Sequence, residues 1–463
     1  MIDAVVAAVR DAFDGTRSAL EGLVRVASIS SSEDHVDRVR ECAEATAHVL
    51  REAGLENVRL DAIGSSPPYV LGEWMHAPGA PTVLLYAHHD VQPPGIVENW
   101  ASDPWDPVER DGRLYGRGTA DDKAGIVLHA AAVKAWLAAT GSLPCNVRVL
   151  IEGEEEIGSP HLMDFLGARH DDLAADVIVL ADANMFDTGV PALTCSLRGI
   201  LNVDVRVCAL EGPLHSGLGG GLAPDPAMAL AKMLATLVDE RGEVSFDGAW
   251  DGVEPPTEDE RRRIGELPAD VDVAGLLGLR PGVSPVGDPS VTPYERVWLR
   301  PALTVIGFDS HPIAGSSNQV VARAAARVSI RLAPGQDPDH VAGRLRAHLE
   351  SVVPWGLELS VDEIHGAPAW RCEPEGPAFD AARSAFAEAF GVQPPVTGEG
   401  GSIPFVGPVA AAYGGIPALL YGPADRRSAA HGEDESVHLD SLLRLVEAEA
   451  RLMQGLAVSL RPR

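Results

Sequence analysis

Three short β-branched runs, TVLLY (82–86), NVRVLI (146–151) and DVIVL (176–180), lead straight into polar residues that read AHHD, EGEEE and ADAN. Runs of this length, separated by helical patterns, predict strands of an α/β sheet covered by helices. In open α/β sheets ligands gather beyond the carboxyl ends of strands, so three acid-rich strand ends are expected to meet in one crevice. This alternation holds to about residue 195. From about 199 it changes to strand (ILNVDVRV), helix (226–240), a polar Pro/Gly-rich stretch, strands ALTVIG and ARVSIRLAP, helix (337–350) and strand LELSVDEI. The order β-α-β-β-α-β reads as a split, ferredoxin-like unit, with 241–298 as an elaboration too polar for core. A helix and the apolar run PALLYG then resume the first pattern. The expected organisation is therefore a discontinuous α/β domain, 1–196 and 373–463, with a mixed, largely parallel sheet between helices and an insert at 197–372.

Composition narrows the function. Lys plus Arg number 37 against 67 Asp plus Glu, a net charge of −30 in 463 residues. Such a surface repels phosphate backbones and anionic lipid, which argues against nucleic acid and membrane as partners. Most of those carboxylates are explained by solubility. Lys123 stands out as one of only three lysines. The five cysteines are scattered and never form a C-x-x-C pair, so neither a disulfide framework nor a thiolate metal site is indicated, and a reducing cytoplasm fits. The start, MIDAVVAAVRDAF, carries Asp3 and Asp11 within an amphipathic pattern unlike a signal peptide. The most apolar stretch, 124–139, is broken by His129 and Lys134, short of the roughly 18 residues of a membrane span.

Within the strand ends, His88 and Asp90 stand at i and i+2 and face the same way in an extended chain. An Asp there can take the second N–H of a ligand histidine and fix its tautomer, although a loop hydrogen bond would need the same pair. His89, on the opposite face, is expected to pack or meet solvent. In GRLYGRGTADDKAG (112–125), Asp121 and Asp122 precede a helical pattern; they could cap it or bridge two cations, and the two readings are compatible. In EGEEEIGS, Glu155 and Glu156 repel as neighbours unless a dication relieves them, leaving one to bind metal and the other to hold a proton. Asp182 ends IVLAD, and His431 lies in the polar loop SAAHGEDES.

HHD, GRGTADDKAG, EGEEEIGS, the Asp after VIVLA, GPLHSG, GEGGSIP and AHGEDES occur in that order. The chain thereby resembles, over nearly its whole length, the dinuclear zinc metallopeptidases that include cytosolic nonspecific dipeptidase, carnosinase and glutamate carboxypeptidase, and most of all their dipeptidase branch. The resemblance implies a catalytic domain at 1–196 and 373–463, and a lid and dimerisation domain at 197–372. It also implies two Zn2+ per subunit, with Mn2+ or Co2+ admissible for a donor set of two histidines and three carboxylates. His88 and Asp182 resemble ligands of one zinc, Glu156 and His431 ligands of the other, and Asp121 the carboxylate shared between them, its peptide to Asp122 being cis in relatives. Asp90 resembles the acid that orients His88, and Glu155 the general base. His215 is similar to a histidine that reaches the other subunit's active site and stabilises the oxyanion, which implies a homodimer. Arg331 in SIRLAP is similar to an arginine that pairs with the substrate carboxylate, and Ser402 lies in the family's glycine-rich loop.

Two positions depart from the pattern. Asn318, in GSSNQVVA, stands where dipeptidases usually carry a threonine before a Val-Ile-Pro run, which puts the contacts to the substrate's terminus in question. Ala124 replaces a common glycine at a helix start, where alanine is favourable. The leading expectation is hydrolysis of dipeptides or short peptides in the cytoplasm, with Glu155 activating a metal-bridging water. The alternatives are an N-acyl amino acid deacylase of the same family and a catalytically silent relative that binds peptide or metal. A purely solvated acidic scaffold would hold no tight metal.

Overall fold

The computed structural model describes residues 1–403 and 405–460. The chain divides into two compact units, one of residues 1–195, 372–397 and 405–463, the other of 196–371 and 398–404. Among the described residues no helix is long and apolar enough to cross a membrane, and all five cysteines are free.

In the first unit a mixed sheet carries, in order, Glu56–Asp61, Tyr69–Trp74, Asn146–Glu152, Thr82–His88, Val177–Leu180, Ala418–Leu420 and Leu193–Leu197. The four central strands are mutually parallel and the outer pairings antiparallel. Burial on both faces explains why the central strands read as continuous apolar runs rather than alternating ones. Val83, Leu85 and Ala87 join the main core with the helices, whereas Leu84 and Tyr86 are buried on the opposite face, as the two-residue period requires. Thr82–His88 extends two residues beyond its apolar run, which makes His88 the last strand residue, in register with Glu152 at the end of the next strand.

The helix Lys123–Thr140 is buried almost all round. It starts on Asp122, whose side chain accepts the Gly125 N–H, and stops at Gly141 in the left-handed conformation (φ 75°). Trp136 Nε1 donates to Ala450 O at 2.9 Å, tying it to the C-terminal helix Leu439–Ser459. His129 lies between Glu449 (2.8 Å) and the Tyr86 carbonyl (3.0 Å), an ion pair inside this helical layer.

A second buried pair fixes the loop after Ala418–Leu420. Arg113 meets both oxygens of Asp425 at 2.8 and 2.9 Å, with Ser428 and Ser436 filling its remaining donors. The two side chains are 1% and 0% exposed. Asp425→Ala leaves the guanidinium buried without its counter-charge and is expected to cost about 3–5 kcal/mol. A urea midpoint lowered at unchanged slope checks this.

The second unit is built on an antiparallel sheet in the order Ala302–Asp309, Arg323–Leu332, Gly199–Cys208, Glu358–Ala367. The helices Pro226–Ala235 and Pro338–Val352 each begin with an Asp cap and a proline in the first turn. This is the expected split βαββαβ order. The first of these helices is shorter than the pattern predicts. Asp239 accepts the N–H groups of Arg241 and Glu243, and Val238 bridges to Val244, so the apolar residues after 235 turn into a short hairpin. The polar stretch 241–298 also contributes more than its composition suggests, because Val244, Phe246 and Ala249 are buried in this unit's core.

Candidate metal centre

The acid-rich strand ends of the first unit do meet. His88 Nε2 lies 3.1 Å from Asp121 Oδ1 and 3.8 Å from Asp182 Oδ1. On the other side of the same carboxylate, His431 Nε2 lies 3.0 Å from Asp121 Oδ2 and 3.2 Å from Glu156 Oε2. His88, Asp121 and Asp182 thus offer three donor atoms within 4.8 Å of one another, and Asp121, Glu156 and His431 offer a second such trio. The two oxygens of Asp121 serve one trio each. Asp122 does not join them; it accepts from His88 N (3.2 Å) and caps the following helix. The Asp121–Asp122 peptide is cis.

Asp90, fully buried, organises the base of this cluster. Its carboxylate accepts the N–H groups of Glu155 (3.2 Å) and Glu156 (3.1 Å), and Oδ1 lies 3.4 Å from His88 Nδ1. The nearest acceptor of that ring nitrogen is instead the Asp90 carbonyl at 3.0 Å, so residue 90 orients the imidazole through both its backbone and its side chain. With Nδ1 donating to that carbonyl, Nε2 is the nitrogen turned to Asp121 and Asp182, and it offers a lone pair to a cation once its own proton leaves. His89 packs away from the cluster, its Nε2 against the Pro68 carbonyl at 2.9 Å.

The electrostatics describe a site short of positive charge. Burial, and then the charge of Asp121, raises the Glu156 carboxyl. Burial, with Glu156, Asp121 and Asp90 adding to it, pushes the Glu155 carboxyl well above its ordinary range against the opposing pull of His88. Burial likewise raises Asp182 well above that range, with Asp122, Asp121 and Glu155 contributing. Hydrogen bonds donated to Asp121 and Glu156 drive the His431 imidazole up to about 11. Buried carboxylates that raise one another, and histidines that answer by holding protons, are the donor set a divalent cation neutralises. Nitrogen and oxygen donors without sulfur fit zinc, manganese or cobalt. The residues present therefore fit two cations that share Asp121.

Some residues of this site escaped the sequence reading. Gln92 donates from its amide to Glu156 Oε2 (2.9 Å), and its backbone N–H reaches Oε1 (3.2 Å). It stands two residues beyond Asp90, so the spacing that paired His88 with Asp90 could have found it. Glu435, fully buried, accepts from the backbone of Gly118 (3.0 Å), Ala120 (2.9 Å) and Asp121 (3.1 Å) and from Arg117 (2.6 Å). Arg117 in turn donates to the Gly432 carbonyl beside His431 at 2.9 Å. Glu154 accepts from Tyr69 (2.5 Å) and His161 (2.9 Å), which separates it in role from the two glutamates that follow.

Residues 84–455 match the model of Peptidase family M20/M25/M40. The chain belongs to this peptidase family. It is 33% identical over 441 residues to a cysteinylglycine-S-conjugate dipeptidase of Corynebacterium striatum, with 94% of each chain covered. It is 31% identical to a Beta-Ala-His dipeptidase of Rattus norvegicus, over 73% of this chain and 70% of the relative. The crystal structure of human carnosine dipeptidase 1 superposes with a TM-score of 0.88 at 25% identity, covering 99% of both chains. The M20 relationship agrees with the dipeptidase branch that the seven motifs resemble.

The other residues singled out in the sequence lie in the second unit. His215 closes the strand Leu214–His215, paired with Gln319–Val320, and is exposed. Its Nδ1 accepts the Gly217 N–H at 3.0 Å, which leaves the proton on Nε2, free to donate. Asn318 is exposed beside that pairing, its carbonyl accepting from Ser216 N at 2.9 Å. Arg331, on the strand Arg323–Leu332, donates from Nη1 to Ser402 Oγ at 3.0 Å.

Proposed function

We propose that this chain is a dinuclear zinc dipeptidase, cytoplasmic and homodimeric. The observation that carries the reading is the shared carboxylate of Asp121, one oxygen turned to His88 and Asp182 and the other to Glu156 and His431. When bound, two zinc ions would polarise the scissile carbonyl and acidify the attacking water. His88, Asp182 and Asp121 would hold one ion, and Asp121, Glu156 and His431 the other.

Glu155 takes the proton of the attacking water at its carboxylate and returns it to the leaving amine. Its raised proton affinity suits that transfer. Asp90 supports the step from behind by holding the backbone of Glu155 and Glu156 in place. His215 donates from Nε2 to the oxyanion in the partner's site. Arg331, Ser402 and Asn318 hold the substrate's terminus, Arg331 as a planar donor suited to a carboxylate. A panel of dipeptides beside N-acetyl amino acids tests the substrate class. Turnover is expected on dipeptides, abolished by chelation and restored by Zn2+, whereas activity confined to the acylated set would make the chain a deacylase.

The homodimer has its own support. The strand Ala302–Asp309 lies at a sheet edge and exposes Val305, Ile306 and Phe308, and Leu218, Leu222 and Ile313 are 78%, 88% and 94% exposed in the same unit. An open apolar edge of this kind calls for a partner. Mixing His215→Ala and Glu155→Gln subunits, each inactive alone, should restore measurable turnover, because one mixed site holds both groups. Subunit exchange with no recovery would remove His215 from the partner's site.

A further inference from the structure

Arg198 and Arg331, two arginines of the second unit linked through Ser402, have no acidic partner among the described residues, although the chain holds 67 carboxylates against 37 basic residues. Arg198 is 9% exposed. Its Nε donates to the Gly400 carbonyl and its Nη1 to the Arg300 carbonyl, both at 3.2 Å. Arg331 donates to Ser402 Oγ at 3.0 Å, and that hydroxyl donates onward to the Arg198 carbonyl at 2.5 Å. Among the described residues every one of these acceptors is neutral. Burial, with the like charge of Arg331 added, lowers the Arg198 guanidinium to about 10. Buried arginines are ordinarily compensated by carboxylates, and a pair left without one is a standing attraction for an anion.

The glycine-rich loop brings this charge close. A side chain at Gly400 would meet Arg198 Nη2 at 2.8 Å, so the loop leaves no room between its backbone and the guanidinium. Neutral carbonyls fix Arg198 at Nε and Nη1, whereas Arg331 is held through one hydroxyl. We propose that Arg198 is a specificity-determining residue, a fixed second positive charge behind Arg331 that makes the site select substrates ending in a free carboxylate. The proposal rests on the reading of Arg331 as the group that pairs with that carboxylate. Arg198 acts through the potential it adds and through Ser402, which its carbonyl orients, and Arg331 makes the contact.

The test is steady-state kinetics on alanyl-alanine with the zinc-loaded enzyme, using Arg198→Gln, Arg198→Met and Arg198→Lys, with Arg331→Met in parallel. Loss of one charge-assisted interaction corresponds to roughly a tenfold change in binding. Arg198→Gln and Arg198→Met are therefore expected to raise KM about tenfold with kcat within about twofold, and Arg198→Lys, which keeps the charge, to stay near the parent. Equal rises for Lys and Gln, or a fall confined to kcat, would reduce Arg198 to a loop clamp and overturn the proposal. A raised KM in Arg331→Met with Arg198→Gln unchanged overturns it while sparing the reading of Arg331; no change in Arg331→Met removes that reading itself. Should the Arg198 variants not fold, the parent enzyme and Arg331→Met still decide. Sulfate at constant ionic strength should compete with alanyl-alanine, less strongly against Arg331→Met, and failure to compete overturns the proposal.

Discussion

Asp121→Ala protein should retain neither metal after dialysis and should show no turnover that added Zn2+ restores. Each trio would fall from three donors to two, and the lost donor is the one residue they have in common. Loss of an outer partner of a metal ligand already weakens binding by about 10–100-fold, so removal of a shared ligand should cost at least about two orders of magnitude at both positions. Elemental analysis with a competing chelator measures it. Asp182→Ala provides the contrast, since it touches only the His88 trio and should leave the His431 trio able to hold an ion. If Asp121→Ala kept one metal at parental affinity, the carboxylate would not be shared.

Glu155→Gln should do the opposite, keeping the metals and losing the reaction. Asp90 grips the backbone N–H groups of residues 155 and 156 rather than their side chains, so the amide leaves the loop and the Glu156 donor in place. Removal of a general base is expected to lower kcat by about two to four orders of magnitude with little change in KM. Unaltered kcat, or metal lost in step with activity, would move the proton transfer to another group. Together the two variants separate residues that build the centre from the residue that uses it.

The layout of the first unit was legible because its central strands are buried on both faces, which leaves short apolar runs with abrupt polar ends. The same signal located His88, Asp90, Glu155, Glu156 and Asp182, all within a few residues of a strand terminus. Local pattern could not say which of Asp121 and Asp122 caps the helix and which faces the cluster, because either acid suits a first turn. The resemblance points to Asp121 as the shared acid, and in the fold it is Asp122 that caps the helix. Glu435 and Arg117 were invisible for a different reason. Glu435 holds backbone groups 314 to 317 residues away and Arg117 meets Glu435 across 318, and no spacing rule reaches that far. The roles of His215, Asn318, Arg331 and Ser402 had no local signature and stood on resemblance alone. The helix over 226–240 was overread since apolar residues continue past 235, while a turn built on Asp239 ends it.

The carboxylate of Glu435 also imposes an order in time. The backbone of residues 118 to 121 is held by a side chain more than 300 positions further along. A ribosome that has already released the strands bearing His88, Glu156 and Asp182 has therefore not yet supplied the group that seats the shared aspartate. The two halves of the centre can be completed only after residue 435 has emerged. A nascent chain or a C-terminally truncated product would carry most of the donors without the arrangement, and so would circulate as a silent protein rather than as a partly active hydrolase.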